Sequence, residues 1–230
     1  MSDAGVPGAT LVVHDLGIMP YERTWEMQKE LAARRASGAL PNDVLLLVQH
    51  PAVITTGRST KEGHVLTSPA ELASHGIALH DVERGGDVTV HEAGQLVMYP
   101  ILDLTQHTKD LHWYLRQLEA TVIAALDAIG FSASRQAGQT GVWIDGRKIA
   151  SIGVHARDWV TRHGVALNVE NDLHTFSHVV PCGIAGVQMT SVRSECARAS
   201  VAYPGFAEVQ AAIVRSFADV FALSPHFSEP

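Results

Sequence analysis

Residues Val142 to Val154 restrict the fold more than any other stretch of this chain. Val142-Trp143-Ile144 and Arg147 to Val154 are β-prone runs separated only by Asp145-Gly146. A two-residue link returns the second run antiparallel beside the first, and Asp-Gly readily adopts the positive φ of a type I′ turn. Val165 to Val169 follows as a third antiparallel strand. Val44-Leu45-Leu46-Leu47-Val48 is a continuous apolar run between Pro41-Asn42-Asp43 and His50-Pro51, the pattern of a buried strand. Ala78 to Val82 reads as a strand. So does Val88 to His91, after a tight turn at Arg84-Gly85-Gly86-Asp87, and so does Leu96 to Ile101, which Pro100 should break.

Helices are predicted at three places. Pro20 precedes Tyr21 to Ser37, where Tyr21, Trp25, Gln28, Leu31 and Ala32 recur at helical spacing before Gly38. Leu111, Leu115, Leu118, Val122, Ala125 and Ile129 form a second stripe closed by Gly130. Phe206, Val209, Ile213, Phe217 and Val220 form a third. Leu66 to Ile77 reads as a short polar segment. Strands outnumber helices, and hairpin-like links outnumber crossovers. The expectation is an α/β protein of the α+β type, with a mixed, largely antiparallel sheet and packed helices. No repeat or linker divides the chain, so residues 1–230 read as a single domain with a flexible tail over 1–9.

A hydrophobic content of 46% and a charged content of 18% supply a core. The longest apolar run falls far short of the roughly 20 residues that span a bilayer. The N-terminus lacks the basic and apolar regions of a secretory signal, so a cytoplasmic location is expected. In a reducing compartment the two cysteines, Cys182 and Cys196, should be free, catalytic or metal-bound rather than paired. A net charge of −7 argues against a broad nucleic-acid-binding face.

Cys182 lies between Pro181, which fixes the approach, and Gly183, which leaves backbone amides unobstructed. A thiol placed this way can attack a carbonyl while nearby N–H groups receive the oxyanion. It is equally readable as a small buried hydrophobe. Cys196 has no special neighbours. Lys148 alternates onto one face with Ala150, Ile152 and Val154. There it can depress a thiol pKa, or simply snorkel from an edge strand. Arg84-Gly85-Gly86-Asp87 followed by His91 suggests backbone brought close to a ligand, although glycine pairs also occur in ordinary turns. It has neither dinucleotide nor P-loop spacing. His174, His178 and Cys182 have helical spacing for zinc. Pro181 interrupts that helix and nothing completes the set, so no metal is expected.

Taken in order, the segments resemble the lipoyl(octanoyl) transferase family from about Leu45 to Val192. The resemblance rests on Gln49-His50-Pro51, Thr56-Gly57-Arg58, Arg84-Gly85-Gly86-Asp87-Val88-Thr89 with His91, Gly94-Gln95-Leu96-Val97 and Tyr99-Pro100. It continues in Gly141-Val142-Trp143, Arg147-Lys148-Ile149-Ala150-Ser151-Ile152-Gly153-Val154, His163-Gly164, Ala166-Leu167-Asn168 and Pro181-Cys182-Gly183-Ile184. It implies a fold like that of biotin and lipoate protein ligases. It implies an octanoyl or lipoyl group passed from acyl carrier protein, through Cys182, to a lysine of an apo lipoyl domain, as a step of lipoate synthesis. Acceptors would be the lipoyl domains of 2-oxoacid dehydrogenase complexes and the glycine cleavage H protein. No cofactor, metal, nucleic acid or membrane is implied.

By the same resemblance Cys182 is the nucleophile and Lys148 lowers its pKa. The acyl site is lined by Arg84, Gly85, Gly86, Asp87, Val88, Thr89, Val90 and His91, together with Ser151, Ile152, Gly153, Gly164, Val165 and Ala166. One departure is local: the family's usual His-Gly-Pro-Gly-Gln is His91-Glu92-Ala93-Gly94-Gln95 here, which sets a carboxylate beside the site. Arg58, Arg147, Arg157, Arg162 and Arg193 are expected to form a basic patch for an acidic carrier. The alternatives are an ATP-dependent ligase of the same fold, a carrier-binding module without catalysis, and a cysteine hydrolase.

Overall fold

The computed structural model describes residues 9–183 and 186–228, without the side chain of Cys182. In chain order the elements begin β1 (Ala9–Ile18), α1 (Tyr21–Ala36), β2 (Asp43–Gln49), β3 (Val53–Thr56), α2 (Pro69–Ser74), β4 (Ala78–Asp81), β5 (Thr89–His91) and β6 (Gln95–Ile101). They continue with α3 (Leu111–Ala128), β7 (Ser134–Gln136), β8 (Gln139–Ile144), β9 (Arg147–Arg157), β10 (Val160–Asn168), α4 (Val192–Ala199), α5 (Phe206–Phe221) and β11 (Leu223–Phe227). Two 3₁₀ turns, His174–His178 and Pro181–Gly183, lie between β10 and α4.

Eight strands form one sheet in the order β11-β1-β2-β6-β10-β9-β8-β7, and β4-β3-β5 form a small second sheet. Within the large sheet β1 pairs parallel with β2 and β11, and the other five pairings are antiparallel. This is the expected mixed, largely antiparallel sheet. The hairpin forms as its residues require: Asp145 and Gly146 both have positive φ, 46° and 77°.

The apolar run of β2 is continuous because both faces are covered. Val44, Leu46 and Val48 pack with α1, while Leu45 and Leu47 face a core that includes residues of α3 and α5. Full burial of each such side chain stabilises the fold by about 1.5–3 kcal/mol. α3 starts where Asp110 accepts the amides of His112 and Trp113, which cap its open end.

Several elements differ from expectation. Pro100 does not break β6. Its ring carbon Cδ faces Gly164, where no side chain stands, and the β6–β10 ladder ends at Met98↔Val165. No N–H is therefore required of Pro100 on that side. Within the polar segment Leu66 to Ile77, Ser68 caps a short helix, Pro69 starts it and Leu72 is buried beneath it. β1 and β11 were not foreseen: each finds its partner across the chain, Ala9 against Leu223. Of the expected tail, residues 1–8 lie outside the described residues and Ala9 opens β1.

Candidate active site

A cavity of about 270 Å³ lies between the large sheet and the loop joining β4 to β5. Arg84, Gly86, Asp87, Val88, Thr89 and His91 border it from the loop and β5. Lys148, Ser151, Ile152, Gly153, Gly164, Val165 and Ala166 border it from β9 and β10. Two of the expected lining residues do not reach it. Gly85 turns its amide to Val154 O at 2.8 Å, which docks the loop on β9, and Val90 is buried in the core of the small sheet.

The loop is held by Arg84. Its guanidinium donates to Thr55 O at 2.7 Å and to Asp87 O at 2.6 Å. The approach of loop to strand is glycine-dependent: a Cβ on Gly153 would lie 2.8 Å from Gly85 O.

A bulge decides where Lys148 points. Trp143 pairs with Lys148 but Val142 pairs with Ala150, so Ile149 is an extra residue on β9. The expected face Lys148-Ala150-Ile152-Val154 is thereby split. Ala150 enters the core, and Lys148 joins Ser151 and Gly153 on the cavity side. Lys148 is 1% exposed. Its Nζ donates to Thr140 O at 3.1 Å and lies 4.9 Å from the centre of the Trp143 ring. Room for it comes from Gly141 (φ 138°), where a Cβ would fall 2.7 Å from Lys148 Cε.

From Lys148 the cavity runs along β9 to Gly153, about 17 Å at 3.3 Å per residue. Its middle is apolar, with Val88, Val97, Ile152 and Val165. Its far end is closed by Tyr21, Tyr99, His91 and His163, and there the polarity is higher than a plain hydrocarbon tunnel would have. Only His91 of these four was expected to line it; Tyr21, Tyr99 and His163 come from three separate elements. His50 stands behind them, donating from Nδ1 to Met19 O and bonded through Nε2 to Tyr99 at 2.8 Å. Burial pushes His50 down to about 4 and His163 down to about 3, and holds His91 well below the usual histidine range. The histidines of the far end are thus uncharged at neutral pH, while the Arg84 guanidinium stands beside Gly153 at the same end. Thr89 Oγ1 and Gln139 Oε1 are buried without a hydrogen-bond partner among the described residues, which leaves them available to a ligand, while His163 Nε2 is turned to Glu83.

The expected nucleophile, Cys182, has its side chain outside the described residues, as do Ile184 and Ala185 entirely. The backbone of Pro181–Gly183 is placed by Val180 N on His64 O at 2.8 Å and by Gly183, packed against Asp87 and His64. His64 and Asp87 are paired at 2.8 Å. Beyond the turn the chain returns to β9: Lys148 N donates to Gln188 O at 2.8 Å, and Thr190 N to Lys148 O at 2.9 Å. Cys196 is buried in the main core, its thiol pushed up by burial and then by Glu195.

Two expectations about charge are corrected. Glu92 does not border the cavity. It accepts from Asn171 Nδ2 at 2.8 Å, directed away by the Gly94 turn. The basic patch is largely neutralised: Arg147 is bonded to Glu195, Arg162 to Glu83 and Arg193 to Glu170, while exposed Arg157 lies near Asp158. Among the described residues no group of three metal-ligating side chains occurs, and no helix is long and apolar enough to cross a membrane. His178 bonds to Thr67 instead.

Residues 20–218 match the family model described as lipoyl protein ligase A/B catalytic domain. The fold resembles that of lipoate-protein ligase A solved with bound ATP (TM-score 0.72, 16% identity, 98% of this chain and 90% of that one). It also resembles the biotin protein ligase of Leishmania major (TM-score 0.54, 11% identity, 95% and 76%). Sequence similarity is much higher to two octanoyltransferases. That of Chloroflexus aurantiacus is 46% identical, covering 94% of this chain and 96% of its own. That of Thermosynechococcus vestitus is 43% identical, covering 90% and 88%. The chain belongs to the octanoyltransferase family. It is an enzyme, an acyltransferase of octanoyl or lipoyl transfer.

Proposed function

We propose that the chain takes an octanoyl group from an acyl carrier protein thioester onto Cys182 and delivers it to a lysine of an apo lipoyl domain. Acceptors would be the lipoyl domains of 2-oxoacid dehydrogenase complexes and the glycine cleavage H protein, in the cytoplasm. The observation that carries this reading is Lys148, a lysine 1% exposed whose Nζ opens on the cavity. Burying an ammonium costs several kcal/mol, which Thr140 O and the Trp143 ring offset in part.

In the first step the Cys182 thiolate attacks the thioester carbonyl. The carbon–sulfur bond to the carrier breaks, and the carrier thiolate takes a proton. In the second step the acceptor amine attacks the acyl-cysteine, loses a proton, and expels the Cys182 thiolate. One thioester becomes one amide, and no nucleotide is consumed. An unperturbed thiol of pKa about 8.5 is only about 3% ionised at pH 7, and lowering it to about 7 ionises half. Lys148 as ammonium would favour the thiolate; as amine it would accept the proton of the incoming lysine. Val88, Val97, Ile152 and Val165 would hold the chain, and each buried methylene contributes about 0.8 kcal/mol, so preference should be graded by length.

Mixing the protein with octanoyl carrier, EDTA and no ATP should add one octanoyl mass at Cys182, labile to hydroxylamine. Cys182→Ala should abolish it, and Lys148→Met should slow transfer roughly 10²-fold or more. Acylation mapped to Cys196, or a strict ATP requirement, would overturn the assignment.

A further inference from the structure

Glu119 has no place in the mechanism so far, yet it is a carboxylate with 0% exposure. It sits on α3, and its Oε2 accepts from Arg116 Nη1 at 2.6 Å and from Arg135 Nε at 2.8 Å. Those two arginines reach in from the surface, 57% and 42% exposed. The other oxygen, Oε1, points inward and accepts the amide of Gly141 at 3.2 Å. That amide belongs to the same peptide group whose carbonyl, Thr140 O, accepts Lys148 Nζ at 3.1 Å.

We propose that Glu119 is a positioning residue that acts on Lys148 through this single peptide group. A peptide whose N–H is bound to an anion carries more negative charge on its carbonyl oxygen, because hydrogen bonds in a chain polarise one another in a low-dielectric interior. Thr140 O is therefore a stronger acceptor for the Lys148 ammonium than an ordinary carbonyl. Gly141 keeps the relay short: a Cβ there would lie 3.2 Å from Nζ and 2.6 Å from Ala150 O. The arginines offset the cost of burying the carboxylate and fix its free oxygen on the strand.

Other charged or titratable groups surround Lys148. Arg84 and Asp87 border the same cavity, Arg84 against Gly153 at its other end and Asp87 paired to His64. Arg147, on its own strand, is turned to Glu195. His91, His163, Tyr21 and Tyr99 close the far end, the histidines neutral. Cys182 completes the set under the proposed reading. None of these is altered by a change at Glu119. A carboxylate that merely ties α3 to β8 would, on removal, lower stability and leave the titration of the site in place.

The inference rests on the Cys182–Lys148 reading, so both are tested in one series. The pH midpoint of Cys182 alkylation by iodoacetamide is measured by peptide mass in wild type, Glu119→Gln, Lys148→Met and the double variant, with melting curves alongside. Glu119→Gln should raise the midpoint by about 0.5–1 pH unit, a roughly two- to fivefold loss of alkylation at pH 7. In the Lys148→Met background the same change should add nothing. Should Glu119→Gln fold poorly, the Gly141 amide proton provides an independent reading: in Lys148→Met its NMR resonance should move upfield as the peptide loses its cation. A midpoint unmoved by Glu119→Gln but moved by Lys148→Met, or a fixed Gly141 resonance, overturns the relay and leaves the dyad intact. A midpoint unmoved by Lys148→Met overturns both.

Discussion

Gly141→Ala should separate the geometry of Lys148 from the stability of the hairpin that carries it. At φ 138° a Cβ is strained, which costs about 1–3 kcal/mol. The new methyl would also stand 2.6 Å from Ala150 O, a backbone atom that cannot swing aside, and 2.7 Å from Lys148 Cε, which can. Overpacking of this kind costs a further ~1–3 kcal/mol. The sum, about 2–6 kcal/mol, corresponds to a fall in Tm of roughly 4–24 °C for a chain of this size. The contact with Cε is relieved by moving the lysine, so transfer should drop by at least tenfold at temperatures where the variant remains folded. Gly146→Ala is the matched control. Gly146 also has positive φ, 77°, but nothing lies within 4 Å of its would-be Cβ. It should lose about 1–2 kcal/mol and keep its transfer rate. The assay is octanoyl transfer at 20 °C beside calorimetry of both variants. Equal transfer by Gly141→Ala and Gly146→Ala would show that the slot at Gly141 does not hold Lys148.

Three further outcomes follow from particular side chains. His50 has a folded pKa near 4 against the usual 6.5, so the unfolded chain binds more protons between those values and stability rises with pH there. Its contribution, about 3 kcal/mol at 1.36 kcal/mol per pH unit, is present above pH 6.5 and lost as pH falls toward 4. Urea midpoints from pH 7.5 to 4.5 should show a shallower decline in His50→Gln than in wild type, and identical slopes would remove His50 from the acid limb. Glu92→Gln should leave octanoyl transfer within about twofold, since its carboxylate bonds Asn171 away from the cavity; a tenfold change would place that charge in the site. Arg193→Ala, whose guanidinium already faces Glu170, should leave the carrier KM within about twofold, and a steep rise would restore the basic patch.

What was legible in the sequence was local. Asp145-Gly146 dictates its turn by φ alone, the apolar run of β2 reports burial on two faces, and the stripes of α1, α3 and α5 report burial on one. The parallel β1–β11 pair was illegible because nothing near Ala9 refers to Leu223. The face of Lys148 was misread because period-2 alternation fails at a bulge. Ile149 is the extra residue, and it looks like any other β-branched strand residue. The resemblance named most of the residues that the fold gathers around the cavity. It quoted Tyr99 and His163 without assigning them to the lining and left out Tyr21; the three close one end from β6, β10 and α1. Glu119 gave no signal, since a glutamate between Leu118 and Ala120 reads as the solvent side of a helix. Its burial is set by arginines and a strand amide that only the fold brings together.

The end of β10 explains why the segment after Cys182 runs where it does. Pairing between β9 and β10 stops at Ala150↔Leu167, so two residues earlier the backbone of Lys148 has lost β10 as its neighbour. Buried backbone groups need partners. Gln188 and Thr190 supply them, bonding Lys148 on both its N–H and its C=O. Thr190 is in turn held by Asn168, the last residue of β10, and Asn168 accepts from Gln95 Nε2, while Gln95 Oε1 meets His91 Nδ1 at the cavity's far end. Glu195, clamped by Arg147, takes the Thr190 hydroxyl. The strand that carries the lysine therefore also fixes the chain that follows the proposed nucleophile. The hydrogen bonds that close the sheet are the ones that set the register of the site.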